Sequence, residues 1–107
     1  MISLLLAAAL LAQPTNEQVI HVSAKKFEFS PAVIELKVGV PVVIEIASAD
    51  RKHGFALPDF KVDEQIESGG VTRIRIVPDR AGTFPFHCSV FCGSGHEEMT
   101  GTIVVKP

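Results

Sequence analysis

Apolar and polar residues alternate over Val19 to Ala24, with Ile20, Val22 and Ala24 on one side and Val19, His21 and Ser23 on the other. This period of two predicts a strand with one buried face. The alternation continues through Phe27 and Phe29, breaks at Pro31 and returns over Val33 to Val38, so Pro31 marks a turn or a sheet edge. After Gly39 and Pro41, the run Val42, Val43, Ile44 and Ile46 predicts a central strand that ends in the polar cluster Ser48 to Lys52. His53 to Leu57, closed by Pro58, predicts a strand end opening into a loop. Val71 to Val77 sets Thr72, Ile74 and Ile76 against Arg73 and Arg75, between Gly69-Gly70 and Pro78, which predicts a half-buried strand. Gly82 to His87 leads into a cysteine-bearing loop, and Thr102 to Val105 is a last β-branched run. About seven or eight short strands separated by turn residues predict an all-β fold, an antiparallel Greek-key β-sandwich.

Ahead of these strands, Met1 to Ala12 carries no charge and holds the apolar run Leu4 to Ala12. That run is shorter than the about 20 residues a spanning helix needs, and with small Ala12 at its end it reads as a signal peptide over residues 1–12. The expected organisation is therefore an exported or periplasmic protein with one domain over residues 13–107 and no spanning membrane segment. A chain of 107 residues with ten Lys and Arg against twelve Asp and Glu leaves no room for a separate catalytic module and offers no basic face for nucleic acid.

The chemistry sits in one segment. Cys88, Cys92, His96 and Met99 follow one another at offsets of four, four and three. Thiolates and a thioether are soft donors that favour copper, and zinc has little use for a thioether. Gly93 and Gly95 lie inside the segment and weaken any helix there, so a loop wrapped around a metal is expected. A second imidazole must come from elsewhere, and His53, where a strand meets a loop, is the candidate. His21 reads as an ordinary sheet histidine. His87 points away from the metal if Cys88 points toward it, because neighbours on a strand face opposite ways.

The stretches Phe27-Glu28-Phe29-Ser30-Pro31, then Ile34 and Gly39, then Asp50-Arg51-Lys52-His53-Gly54-Phe55, then Cys88 through Gly101 resemble the CuA cupredoxin domain of cytochrome c oxidase subunit II and nitrous oxide reductase. The resemblance implies a cupredoxin-like sandwich holding two Cu ions bridged by the thiolates of Cys88 and Cys92. His53 and His96 would each bind one copper, with Met99 and the backbone carbonyl of Val90 as weak ligands to one copper each. It implies electron transfer with redox partners such as a cytochrome c or a terminal oxidase. Subunit II carries membrane-spanning helices and a Trp for electron entry, and nitrous oxide reductase carries a large catalytic domain. This chain has a leader-length apolar run and no Trp, so a stand-alone carrier, or a soluble relative serving a membrane oxidase, is the expectation.

Other readings of the same residues stay open at this point. Cys88 and Cys92 form a disulfide in one, although so small a loop would constrain the unfolded chain little. Structural zinc held by Cys88, Cys92, His96 and His53 is another. A single blue copper on His53, Cys92, His96 and Met99 would leave Cys88 a spectator, and a copper chaperone would use the same donors to deliver Cu(I) to an oxidase. No nucleophile with its base and no carboxylate pair is evident, which argues against an enzyme in its own right. The acidic residues Asp59, Asp63, Glu64 and Glu67 read as a solvated loop, with docking of a basic partner as the alternative. Glu97 and Glu98 are expected to flank the ligand loop toward water.

Overall fold

The computed structural model describes residues 17–107; the leader expected over Met1 to Ala12 lies outside them. Among the described residues, nine strands form two sheets. They are β1 (Gln18–Lys25), β2 (Glu28–Ser30), β3 (Val33–Lys37), β4 (Val42–Ser48), β5 (His53–Leu57), β6 (Val62–Ile66), β7 (Val71–Ile76), β8 (Gly82–His87) and β9 (Thr100–Lys106). Short 3₁₀ turns occupy Pro58–Phe60 and His96–Glu98. One sheet has the order β2-β1-β4-β7 and the other β3-β9-β8-β5-β6, a two-layer sandwich as the strand pattern predicts.

Two features differ from the sequence expectation. The sandwich is mixed: β1 runs parallel to β4, and β3 parallel to β9. The chain changes sheets at Pro31, between β2 and β3, so β1 meets β4 rather than a hairpin neighbour on its second side. The acidic segment after Pro58 is also not simply a loop. Asp63 and Glu64 belong to β6, which pairs with β5 from Val62 to Ile66 and forms the edge of its sheet. Its three central positions are exposed and only Ile66 is fully buried, and charges on an edge strand guard against pairing with another chain.

The core follows the alternation. Val22 and Ala24 of β1, Val42, Ile44 and Ile46 of β4, Ile74 and Ile76 of β7, and Phe84 and Phe86 of β8 all face inward, while His21 pairs with Glu45 at the surface, Nδ1 to Oε1 3.3 Å. Phe29, Phe55 and Phe86 join the two sheets through ring contacts at 5.9, 5.2 and 4.8 Å between centroids, each pair adding about 0.5–1.5 kcal/mol beyond its area burial. Phe55 lies two residues after His53, and Phe86 two residues before Cys88. The period of two therefore turns His53 and Cys88 to the same inner side as this aromatic floor.

Candidate metal centre

The ligand loop is the connection between β8 and β9. It leaves β8 at Cys88 and is closed by a hydrogen bond from Cys88 N–H to the Met99 carbonyl, 3.0 Å. Within it, His96 N–H donates to Gly93 O at 3.1 Å and Met99 N–H to His96 O at 3.2 Å, so His96 and Met99 sit on one tight turn. Gly93 has φ +139°, and a β-carbon there would stand 2.8 Å from the Phe27 ring. Glycine thus lets the loop settle flat on an aromatic side chain, in a conformation that L residues avoid. The other wall is β5. A methyl on Gly54 would collide with Ser89 Oγ and lie 2.9 Å from Val90 N, so the loop and β5 touch backbone to backbone.

This packing gathers the expected donors. The thiols are free. Cys88 Sγ lies 3.7 Å from Cys92 Sγ, 3.9 Å from His53 Nδ1 and 3.1 Å from the Val90 carbonyl oxygen. Cys92 Sγ lies 3.6 Å from His96 Nδ1 and 3.7 Å from Met99 Sδ. The arrangement has two halves joined through the sulfurs: His53, Cys88 and the Val90 carbonyl on one side, His96, Cys92 and Met99 on the other. His53 and Met99 are 0% exposed and both cysteines 2%, whereas His96 is half-buried and reaches the surface. His53, Cys88 and Cys92 form a group able to hold a metal ion. Soft, buried donors with lone pairs turned toward one another fit copper, since a disulfide would leave His53 and Met99 without a purpose in so dry a place. His87 is exposed on the outer face of β8, as its parity with Cys88 requires, and Glu97 and Glu98 are exposed as expected.

Two residues that had no assigned role hold the donors in place. Asp50 Oδ1 lies 2.7 Å from His53 Nε2. Burial pushes the Asp50 carboxyl up, but the Lys26 N–H, the His53 ring and the Arg51 N–H outweigh it and keep the group well below the usual carboxylate range. An ionised Asp50 accepts only, so Nε2 carries the proton and Nδ1 offers its lone pair to the sulfur side. Arg51 donates from Nη1 to the Cys92 carbonyl at 2.9 Å. The Asp50-x-x-His53 spacing was the available signal for the first, because a carboxylate behind a ligand imidazole is a recurrent arrangement. Nothing in the sequence marks Arg51, whose partner is 41 positions away.

At the sulfurs, the Gly54 N–H points to Cys88 Sγ at 3.4 Å. Burial pushes the Cys92 thiol up to about 11, the neighbouring Cys88 sulfur adds to the rise, and Arg51 opposes it. Of the acidic residues, Asp63 accepts from Ser89 Oγ at 2.8 Å, which ties β6 to the ligand loop, and Glu67 lies 3.7 Å from Lys52.

Residues 1–105 match the model of the cupredoxin-like domain. The chain belongs to the cupredoxin-like family. It is 34% identical over 100 residues to cytochrome c oxidase subunit 2 of Thermus thermophilus, covering 94% of this chain and 74% of that one. With nitrous-oxide reductase of Stutzerimonas stutzeri it shares 27% identity over 96 residues, 86% of this chain but 15% of the relative. The periplasmic domain of cytochrome oxidase subunit II from Bradyrhizobium japonicum superposes with a TM-score of 0.77 over 87% of this chain and 86% of that one, at 20% identity. This cupredoxin is thus a copper-binding domain related to the CuA domains of oxidase subunit II. Among the described residues, no helix is long and apolar enough to cross a membrane.

Proposed function

We propose that this cupredoxin is an electron-transfer domain with a dinuclear CuA-type centre held by His53, Cys88, the Val90 carbonyl, Cys92, His96 and Met99. The observation that carries this reading is the pair of sulfurs 3.7 Å apart, each with its own imidazole. A single blue copper needs one thiolate and has no use for a second buried sulfur in contact with the first. The carbonyl beside Cys88 and the thioether beside Cys92 supply one weak donor for each half.

Copper held by these residues would supply a site that takes up and gives back one electron. The chain's own residues do the rest. Asp50 fixes the tautomer of His53. Phe55 and Phe86 exclude water beneath the donors, so that little solvent has to reorganise when the charge changes. His96 lies at the surface side with its ring 5.6 Å from that of Phe91, which is 77% exposed, and this is the natural face for exchange with a partner. By analogy with the oxidase subunits it resembles, the partners are a cytochrome c-type donor and a terminal oxidase, and the compartment is the periplasm or its equivalent.

The test is reconstitution of the reduced protein with copper, followed by metal counting and paramagnetic resonance. Two coppers per chain sharing one unpaired electron is the expected result. One copper with a localised spin would mean a blue-copper carrier. Ready loss of copper to an acceptor apoprotein, without reversible electron exchange, would mean a delivery protein.

A further inference from the structure

Arg51 stands out because its backbone is fixed on both sides while its side chain reaches across the site. Its N–H donates to Asp50 Oδ1 at 2.7 Å, its carbonyl accepts from Ser48 Oγ, and its guanidinium donates to the Cys92 carbonyl at 2.9 Å. A guanidinium stays charged at any pH the fold survives, and its planar donors hold direction. The loop that leads into His53 is thereby bound to the peptide of Cys92, in the other half of the site.

We infer that Arg51 is a positioning and tuning residue: it latches the ligand loop to the β4–β5 loop and places a permanent positive charge beside the sulfur pair, raising the reduction potential of the copper centre. The physical reason is the sign of the charge change. Each electron accepted makes the centre more negative by one unit, and a fixed cation nearby favours that state over the oxidised one. The inference rests on copper being bound through Cys92, a requirement shared by the dinuclear centre and its mononuclear alternative. The guanidinium lies on the carbonyl of the residue that carries one of these sulfurs, with Nη1 2.9 Å from Cys92 O. Arg51 itself is exposed, and solvent screens part of the effect. The expected size is about three- to tenfold in the equilibrium for taking up one electron, a tenfold change being about 59 mV.

The experiment compares wild type with Arg51→Lys, Arg51→Gln and Arg51→Met in the copper-loaded protein, reading midpoint potential, copper count and thermal midpoint. Potentials lower in the Gln and Met variants, with Lys close to wild type and the copper count unchanged, are the expected result. Equal potentials in all four proteins overturn the inference. A fall in all three variants that follows only the loss of thermal stability also overturns it, since the bond and not the charge would then be responsible. A one-copper wild type rejects the dinuclear reading but leaves the same comparison to judge Arg51, and a wild type that takes no copper rejects both.

Discussion

Asp50 accepts a hydrogen bond from His53 Nε2–H at 2.7 Å, and this one bond decides which face of the imidazole is free for a metal. The same carboxylate receives the backbone N–H of Lys26 at 2.8 Å, so the segment between β1 and β2 is coupled to the candidate ligand at the start of β5. The carboxylate thereby orients an imidazole that is itself 0% exposed.

Asp50→Asn is expected to weaken copper binding about 10- to 100-fold, the usual effect of removing a carboxylate behind a ligand histidine. Competition with a chelator of known affinity checks it. An affinity equal to wild type would show that packing alone orients His53. The variant should also differ in acid. Because the folded Asp50 carboxyl is held below its ordinary value, the unfolded chain binds the extra proton first as pH falls. The stability this contributes is complete above the ordinary carboxylate range and is lost as pH drops through it toward the depressed value. Thermal midpoints of the apo protein between neutral pH and pH ~3 should fall more steeply for wild type than for Asp50→Asn.

Cys88→Ser separates the dinuclear centre from a mononuclear one. With both sulfurs bridging, the variant should lose the shared-electron signal and bind at most one copper. With Cys88 a spectator, colour, stoichiometry and spectrum should survive. Cys92→Ser serves as the control, since Cys92 touches Cys88, His96 and Met99 and is a ligand in either case. Metal analysis and paramagnetic resonance on the two variants give the answer.

The strands that bury one face were legible from the sequence, because a period of two leaves its trace whenever inside and outside differ. Phe84, Phe86 and Cys88 inward and His87 outward is the clearest case. Strand β6 was not legible: Val62-Asp63-Glu64-Gln65-Ile66 has three polar residues in a row, as an edge strand with little to bury can afford. The parallel pairing of β1 with β4 depends on which sheet the chain enters after Pro31, a non-local choice with no local signature. At the site, the convergence of Cys88, Cys92, His96 and Met99 was legible because soft side chains are rare and these are closely spaced. Arg51 was not, because a single arginine in a polar cluster looks like any solvated charge.

Gly54→Ala tests how closely β5 and the ligand loop must approach. A β-carbon there collides with Ser89 Oγ and comes within 2.9 Å of Val90 N and 3.0 Å of Ser89 N. The hydroxyl can rotate away, but the backbone cannot move without shifting the Val90 carbonyl. A loss of about 1–3 kcal/mol is expected from overpacking. Chemical denaturation of the apo protein measures it, and the copper-loaded form should show an altered spectrum. Wild-type stability together with a wild-type spectrum would mean the loop has slack at this point.

The Cys92 thiol gives the opposite pH dependence from Asp50. Its value rises from 9.0 to about 11, chiefly through burial and then through the Cys88 sulfur. Between these values the folded chain keeps its proton while the unfolded chain has lost it, so stability falls as pH rises. The contribution is fully present below pH 9.0 and is lost on the way to about 11. The apo protein should therefore destabilise across that window, and Cys92→Ser should flatten the decline, as followed by thermal midpoints at successive pH values. Copper reverses the demand, because the metal takes the thiolate and releases the proton. Affinity measured below pH 9.0 should thus increase with pH, and the loaded protein should lack the alkaline decline of the apo form. A loaded protein that declines in parallel with the apo form would show that Cys92 is not held as a thiolate by the metal.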